Sequence, residues 1–411
     1  MMVRSRCASL VMGGATFVWL IGVAWAGDPA AQAGTGTAVS RPQTSATAQT
    51  SEQAFKNIQV LKGIPVDDFM GAMGIMSAAT GFDCSECHTG AGTDSVDWPA
   101  DTPRKRTARK MVEMVATLNR TSFGGRQVVT CWTCHRGRDR PLITPAMETV
   151  YGTPVVEMDD VVITDQGGAT ADQVLDKYIQ ALGGAQRLAS LKSYIAKGTS
   201  VGFGGFGGEG HVQIFAKAPD QRTLIVEYDE AGRGNAVRSF DGRAGWLRTP
   251  LSVTGEYELS GSELEGARLD AQISFPGQIK QVLSNLRVGL PTTISDLPAP
   301  SSQETTPMFG QDRAVQVVQG TGPRNTLVTL YFDKASGLLL RMVRYGASPI
   351  GRIPTQIDYA DYRDVAGVKL PFRMTFAWLN GRDAIQLDDV RPNVPIDAAK
   401  FGRPAPQSSK P

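Results

Sequence analysis

Four of the five cysteines and two of the three histidines fall into two pentapeptides of one pattern. These are Cys84–His88, with the sequence CSECH, and Cys131–His135, with the sequence CWTCH. Two thiols at this spacing can form thioethers with the two vinyl groups on one haem edge, and the histidine that follows can bind the iron. The pattern therefore predicts two covalently bound c-type haems. The predicted thioether cysteines and iron-binding histidines are, in chain order, Cys84, Cys87, His88, Cys131, Cys134 and His135.

Two other uses of paired cysteines are open. A zinc ribbon also has two C-x-x-C pairs, but these are usually about 15–20 residues apart, whereas 43 residues separate Cys87 from Cys131. Two disulfides are compatible with an exported chain. Neither alternative requires a histidine directly after each cysteine pair, and the sequence therefore favours haem.

The sixth iron ligands must include residues other than histidine. Only His211 lies outside the two pentapeptides, so one chain cannot supply two bis-histidine haems. Methionine sulfur is another sixth ligand of haem iron. A helix is predicted from Val66 to Ala79, ended by Gly81, and a second helix from Pro103 to about Asn119. The methionines on these two helices are Met70, Met73, Met76, Met111 and Met114.

The first 26 residues have the features of a secretory signal peptide. Arg4 and Arg6 precede an apolar run, and Ala24–Ala26 (AWA) is a suitable cleavage site. The alternative is an uncleaved membrane anchor, because the run is close to the length of a membrane span. Export to the periplasm agrees with the haem prediction, since c-type haem is attached outside the cytoplasm. Residues 27–51 are rich in small and polar residues and are predicted to form a disordered linker.

Charge is distributed unevenly over the predicted haem domain, residues 52–147. Residues 53–101 carry two basic and seven acidic side chains, a net charge of −5, whereas residues 102–145 carry ten and two, a net charge of +8. Basic side chains can bind haem propionates, and Arg106 and Arg136 are candidates for such contacts. An alternative is a dipolar carrier that docks different partners at its two ends. The whole chain has a net charge of +2 and no nucleic-acid-binding motif, so nucleic acid is not an expected partner.

The order helix, methionine, C-x-x-C-H occurs twice and resembles the building unit of the photosynthetic reaction-centre cytochrome c subunit. The matching segments are Met73–Ser77 (MGIMS), Gly81, Arg109–Met111 (RKM) and Val129–Gly137 (VTCWTCHRG). The resemblance implies that each haem lies against its helix, with Met73 as sixth ligand of the first iron and Met111 of the second. That family usually has four haems and often a lipid-anchored N-terminal cysteine, and this chain departs from both features. The resemblance implies electron transfer with redox protein partners, such as a membrane reaction centre or a respiratory complex.

A second domain is predicted at residues 169–400, after a connection at 148–168 and before a disordered tail at 401–411. Helices are predicted over 172–182 and over 263–288, the latter interrupted at Pro276. Strands are predicted at 212–215, 223–228, 236–240, 327–332, 338–345, 356–362, 369–378 and 384–390. Asp333–Gly337 is predicted to form the turn of a hairpin.

This half of the chain resembles the LolA/LolB-type lipoprotein carriers. The resemblance rests on a helix that ends at Leu182–Gly184 (LGG), the turn Phe240–Trp246, and the hairpin Leu330–Leu338. It implies a concave apolar face that could hold a lipid or an acyl chain; the alternative is a scaffold that positions the haem domain. The predicted fold class is multidomain α+β. A small all-α dihaem domain is followed by a mainly antiparallel β domain, a curved sheet or open barrel with a few helices.

Together these features predict an exported dihaem c-type cytochrome that carries single electrons, rather than an enzyme. A peroxidase-like dihaem enzyme needs one iron with a vacant or displaceable sixth position, and the methionine-bearing helix before each motif argues against it. The other alternative is a redox-sensing protein that binds lipid or lipoprotein in its C-terminal domain.

Overall fold

The computed structural model describes residues 48–93, 95–145, 147–151, 161–202, 209–228, 234–249, 255–295 and 312–405. The predicted signal peptide, the linker as far as residue 47, and the tail from residue 406 lie outside these ranges. None of the described helices combines the length and the apolarity needed to cross a bilayer.

The described part of the chain contains nine α-helices, several of a single turn. They are α1 Ser51–Ala54, α2 Val66–Thr80, α3 Pro103–Ser122, α4 Cys131–His135, α5 Met147–Tyr151, α6 Ala171–Ala181, α7 Ala185–Ser190, α8 Gly261–Ile273 and α9 Ile279–Val282. The two helices predicted for the haem domain, α2 and α3, are confirmed. Gly81 ends α2 in the left-handed conformation, at φ +73°, and the Thr102 side chain caps α3 by accepting a hydrogen bond from Lys105 N.

The strands form one antiparallel sheet. They are β1 Ser193–Val201, β2 Glu209–Lys217, β3 Gln221–Tyr228, β4 Asn235–Phe240, β5 Gly245–Arg248, β6 Glu256–Glu258, β7 Ser284–Val288, β8 Thr292–Ile294, β9 Arg313–Thr321, β10 Leu327–Asp333, β11 Leu339–Ser348, β12 Gly351–Val365, β13 Val368–Trp378 and β14 Gly381–Pro392. Their order is β6-β5-β4-β3-β2-β1-β14-β13-β12-β11-β10-β9-β7, and β8 also pairs with β9. Strands β6 and β7 are therefore opposite edges of an open curved sheet, which confirms the predicted fold class.

Several strands of the sheet differ from the sequence-based prediction. The helix predicted as far as residue 288 is wrong at its end, because Asn285 adopts a φ of +51° and Ser284–Val288 pairs with β9 as an edge strand. The prediction also missed β1, β5, β6, β8 and β9. Strand β1 mixes residues that favour strands, such as Tyr194, Ile195 and Val201, with small and polar ones, and it lies between β2 and β14.

The main core lies between one face of the sheet and helices α6 to α9. Buried residues of α6, such as Leu175 and Tyr178, pack with residues of α8 and α9 against side chains of the sheet. The core extends to the end of the described chain, where the Phe401 side chain is fully buried. The ordered chain therefore continues beyond residue 400, the boundary predicted from sequence.

Helix α2 packs directly on the sheet. Ala72 and Ile75 of α2 form a buried cluster with Ile350, in the turn between β11 and β12, and with Ile353 and Leu379 nearby. The described residues, from 48 to 405, accordingly belong to one compact unit. Independent folding of the predicted haem domain stays a prediction.

Candidate functional site

The first pentapeptide begins with a capped helical turn. The Asp83 carboxylate accepts hydrogen bonds from Ser85 N at 2.7 Å and Ser85 Oγ at 2.6 Å, and Cys84–Glu86 forms a 3-10 turn. The His88 amide donates to Cys84 O at 2.9 Å. The first cysteine and the histidine are thus held one helical turn apart.

The imidazole of His88 is half-buried and oriented by a backbone carbonyl. Its Nδ1 lies 3.4 Å from Trp98 O, and the two rings meet edge to face with centroids 5.1 Å apart. Because a carbonyl only accepts hydrogen bonds, this contact places the proton on Nδ1 and leaves the Nε2 lone pair available to a metal. Burial, together with the nearby charge of Lys105, lowers the pKa of His88 and favours the neutral ring that binds metal.

The second pentapeptide forms the single turn α4 and repeats this arrangement. Thr130 and Thr133 form a capping box at its start, and Arg136 ends it in the left-handed conformation, at φ +49°. His135 Nδ1 lies 3.0 Å from Arg138 O. Both motif histidines therefore face a backbone carbonyl with Nδ1, although the two carbonyls come from unrelated segments.

The segment after the second motif packs against the end of α2. The amides of Gly137 and Arg138 donate to Ala79 O at 2.8 and 3.2 Å. Gly81 is required here for a second reason, since a Cβ atom at this position would lie 2.7 Å from Gly137 O. The end of α2 leads into the first motif, so these contacts hold the two motifs close together.

Helix α3 contacts both motif regions, one at each end. At its start, Thr102 Oγ1 donates to Cys87 O at 2.8 Å. At its other end, the buried Asn119 side chain accepts from Val128 N at 3.0 Å and Val129 N at 2.9 Å and donates to Val129 O at 2.7 Å. The same helix therefore supports the first motif and the approach to the second.

The candidate methionines differ in exposure. Met76 packs against the cluster of Ala72 and Ile75, Met73 is half-buried, and Met70 is 49% exposed. On α3, Met111 and Met114 are 37% and 50% exposed. These helices therefore present apolar sulfur-bearing side chains at their surfaces, as a helix that covers a haem would.

The basic side chains near the motifs have several different partners. Arg104 pairs with Glu86 and lies over the Phe82 ring, 4.5 Å from its centroid. Of the two predicted propionate contacts, Arg106 is exposed and donates to Asp101 O at 2.7 Å, and Arg136 is exposed beside the second motif. Both guanidinium groups lie at the surface of the haem region.

The four motif cysteines are free thiols, and each is at least partly exposed. Burial raises the pKa of the Cys87 and Cys131 thiols. In the described ranges, no three His, Cys, Asp or Glu side chains come together as a metal-binding group. Each motif offers two accessible thiols and one oriented imidazole. This donor set fits a covalently bound haem.

Two buried carboxylates lie at the start of α2, away from the motifs. Asp67 accepts hydrogen bonds from Ser260 N and Ser260 Oγ, each at 2.8 Å. Asp68 lies beside Gly261, at the start of α8. Desolvation raises the pKa of Asp67 to about 6, and desolvation together with the charges of Asp67 and Glu263 raises that of Asp68 to about 7.

The sequence reasoning missed several groups that shape the site. The Trp98 and Arg138 carbonyls have no signature, because every residue has a backbone oxygen. Asn119 carries no motif either, and its role depends on Val128 and Val129 folding back against α3. In the sequence, Asp67 and Asp68 are typical of the acidic first turn of a helix. Only the packing of α8 shows that they are buried.

Comparisons with known proteins match the two halves of the chain separately. Residues 21–161 match the family described as "Photosynthetic reaction centre cytochrome C subunit". No curated protein matches the chain. Among solved structures, a LolA superfamily protein from Nitrosomonas europaea is similar at 15% identity over 57% of this chain and 99% of its own, with a TM-score of 0.34. A DUF1329 family protein from Desulfovibrio piger is similar at 10% identity over 56% of this chain and 96% of its own, with a TM-score of 0.35.

The family match spans both pentapeptides, α2 and α3. It covers about a third of the chain and the segments on which the predicted resemblance rests. The N-terminal third of this chain is therefore similar to the cytochrome c subunit of photosynthetic reaction centres, a c-type cytochrome.

Proposed function

We propose that this protein is an exported dihaem c-type cytochrome that carries single electrons between redox partners. The observation that supports it best is shared by the two motifs. In each, the histidine that follows C-x-x-C turns Nδ1 toward a backbone carbonyl. This leaves Nε2 as the metal-binding nitrogen, the tautomer that an iron ligand needs.

Each motif would hold one haem through two thioethers and one imidazole. Cys84, Cys87 and His88 serve the first haem, and Cys131, Cys134 and His135 serve the second. Met73 and Met111 are the proposed sixth ligands. The haem iron supplies the one-electron chemistry when bound, and the chain supplies ligands, burial and charge.

The partners we propose are redox proteins. The exposed basic side chains near the second motif favour an acidic partner surface, because complementary charge steers association and orients the encounter. A membrane reaction centre and a respiratory complex are both compatible with this chemistry, and the proposed location is the periplasm.

Haem stoichiometry tests this function. The protein should be produced with haem-attachment machinery and its mass measured after denaturation, when only covalent haem remains. We expect two haems per chain, one after Cys84→Ala/Cys87→Ala, and one after Cys131→Ala/Cys134→Ala. The control is His211→Ala, which should retain both. Zinc in place of haem, or one haem in the unaltered protein, would refute the proposal.

Carrier function also predicts how the reduced protein responds to small ligands. If both irons have a methionine sixth ligand, cyanide and peroxide should react slowly with the reduced protein. Rapid peroxide turnover would instead favour the peroxidase-like alternative, since that chemistry needs an open or displaceable position.

A second function is lipid binding by the sheet. It has weaker support than electron transfer, because the side chains between the sheet and its helices are closely packed. A cavity of about 200 Å³ lies beside Asp220, Gln272 and Gln278 and is bounded mainly by polar side chains. The more apolar cavity between the sheet and its helices has a volume of about 60 Å³ and is lined by Tyr178, Tyr194, Arg222, Asp270, Tyr359 and Phe376, among others. This is room for a few water molecules, each of which needs roughly 10–15 Å³, and an acyl chain would require the helices to move. The described conformation therefore favours the alternative role of the sheet, a scaffold that positions the haem domain. Lipid co-purified at one molecule per chain in native mass spectrometry would favour the second function.

A further inference from the structure

Lys105 contacts the same backbone carbonyl as the first motif histidine. Its Nζ donates to Trp98 O at 2.8 Å and to Ala100 O at 2.7 Å. His88 Nδ1 lies 3.4 Å from that Trp98 oxygen. The ammonium group therefore makes the shorter hydrogen bond to the Trp98 carbonyl oxygen, and the imidazole makes the longer contact.

The second motif offers a direct comparison within the same chain. His135 Nδ1 lies 3.0 Å from Arg138 O, which is a normal hydrogen-bond distance. The two imidazoles are thus oriented in the same way but differ in the strength of this contact.

Lys105 forms no ion pair within 4 Å in the described part of the chain, although the carboxylates of Asp101 and Asp97 act on its charge from a greater distance. Its side chain is half-buried and bonded to two neutral carbonyls. The nearby Asp101 pairs with Arg109, and Asp97 accepts a hydrogen bond from Ala100 N at 3.0 Å. The Lys105 ammonium is nevertheless the charged group that shares the Trp98 carbonyl with His88, and its charge acts on the imidazole.

We infer that Lys105 is a positioning residue that raises the midpoint potential of the first haem by holding its ammonium against the carbonyl that orients His88. This inference rests on the proposed dihaem function. Two effects act in the same direction. A nearby cation disfavours the additional positive charge of ferric iron. A carbonyl already engaged by an ammonium accepts less strongly from His88, so the imidazole donates less electron density to the iron.

Substitutions of Lys105 test this inference in the intact haem-loaded protein. Lys105→Met removes the charge and the donor, Lys105→Gln removes the charge alone, and Lys105→Arg retains both. The matched control is Lys110→Gln, an exposed lysine on the same helix. The readout is a potentiometric titration followed by visible absorption, and the wave that is absent in Cys84→Ser/Cys87→Ser belongs to the first haem.

We expect Lys105→Met and Lys105→Gln to raise the ferric-to-ferrous ratio of the first haem about tenfold at a fixed potential. For a one-electron couple this is a downward shift of about 59 mV. The second haem should keep its potential, Lys105→Arg should restore the first, and Lys110→Gln should change neither.

Two results would overturn the inference while leaving the proposed function intact. One is an unshifted first wave in Lys105→Gln with both haems attached. The other is loss of the first haem in both Lys105→Met and Lys105→Gln, which would make Lys105 a purely structural residue. Absence of two haems in the unaltered protein would instead be a failure of the proposed function.

Discussion

The methionines of α2 face different environments, and these environments separate the ligand candidates. Met76 packs in the cluster between α2 and the sheet, so its side chain already has a structural role. Met70 is 49% exposed, nearer the start of the helix. Met73 is half-buried between them and remains our proposed ligand of the first haem.

Replacing the proposed sixth ligands should therefore affect one haem at a time. Met73→Ala and Met111→Ala should each remove one methionine–iron charge-transfer band and lower one midpoint potential, because thioether ligation favours ferrous iron. Near-infrared absorption and potentiometry measure both effects. Met70→Leu, Met76→Leu and Met114→Leu are the controls and should retain both bands. If Met114→Leu removes the second band and Met111→Ala does not, the ligand on α3 is one turn further along.

Asp68 should make the folded protein less stable as the pH rises. It is buried beside Asp67 and Glu263, and the cations Arg238 and Arg344 pair with Glu263 at 3.0 and 3.6 Å. Its pKa is about 7 in the folded chain, against an ordinary value of 3.8. The folded state thus binds the proton more tightly than the unfolded chain. The resulting stabilisation is complete below about pH 4 and is lost as pH rises through 7.

We therefore expect Asp67 and Asp68 together to lower the free energy of unfolding by about 4 kcal/mol between pH 5 and pH 8. Urea denaturation followed by circular dichroism measures it. Asp68→Asn should remove more than half of this decrease and should be more stable than the unaltered protein at pH 8. Asp97→Asn, at an exposed carboxylate in the same region, is the control. An unchanged pH dependence in Asp68→Asn would mean that the carboxylate is charged in the folded chain.

At the scale of elements, α3 joins the two motif regions into one assembly. Its capping residue, Thr102, contacts Cys87 O, and its last turns bind Val128 and Val129 through Asn119. At about 1.5 Å per residue the helix is roughly 30 Å long, so it fixes the separation of these two supports. The segment before Cys131 has no regular structure and depends on Asn119 for its position.

Asn119→Ala should consequently disturb the second haem more than the first. The variant leaves the Val128 and Val129 amides without their acceptor, and we expect a loss of about 2 kcal/mol in unfolding free energy. Attachment of haem at Cys131 and Cys134 should also decrease, as measured by peptide mass spectrometry. Asn119→Asp keeps both acceptors but loses the donor to Val129 O and buries a carboxylate, so it should not restore stability. Equal loss of haem at both motifs would contradict a local role for Asn119.

The sequence predicts individual elements better than the contacts between them. The boundaries of α2 and α3 follow from Gly81, Thr102 and Pro103, because caps and proline act within one turn. Strand β1 escaped prediction, since its pairing with β14 joins residues nearly 200 positions apart. The motif residues could be predicted from their types and spacing, whereas the carbonyls of Trp98 and Arg138 could not. A backbone oxygen becomes specific only through the fold.

For the whole molecule, the main consequence is that the haem region is supported by the sheet. Ile75 of α2 lies against Gly351, where a Cβ atom would be 3.4 Å from Ile75 Cδ1. Asp67 binds the residue that precedes α8, and Gln127 Nε2 donates to Ser348 O at 2.9 Å. Three separate contacts thus join the two parts, one apolar and two polar. They give the sheet a role in haem-domain stability that needs no ligand in its cavity.

This arrangement predicts how a haem fragment, residues 48–151, should behave. All the proposed iron ligands lie within it, so it should attach two haems and show the same visible spectrum as the full chain. It exposes Ala72 and Ile75 to water, and burial of each such aliphatic side chain is worth roughly 1–3 kcal/mol. The fragment should therefore unfold at a lower urea concentration than the haem region of the full chain.

Ile353→Ala in the full chain should weaken the haem region in the same direction, whereas Val317→Ala, on the other face of the sheet, should not. A fragment as stable as the full chain would show that docking on the sheet contributes nothing to the haem region. A fragment with one five-coordinate iron would place a sixth ligand in the β region instead.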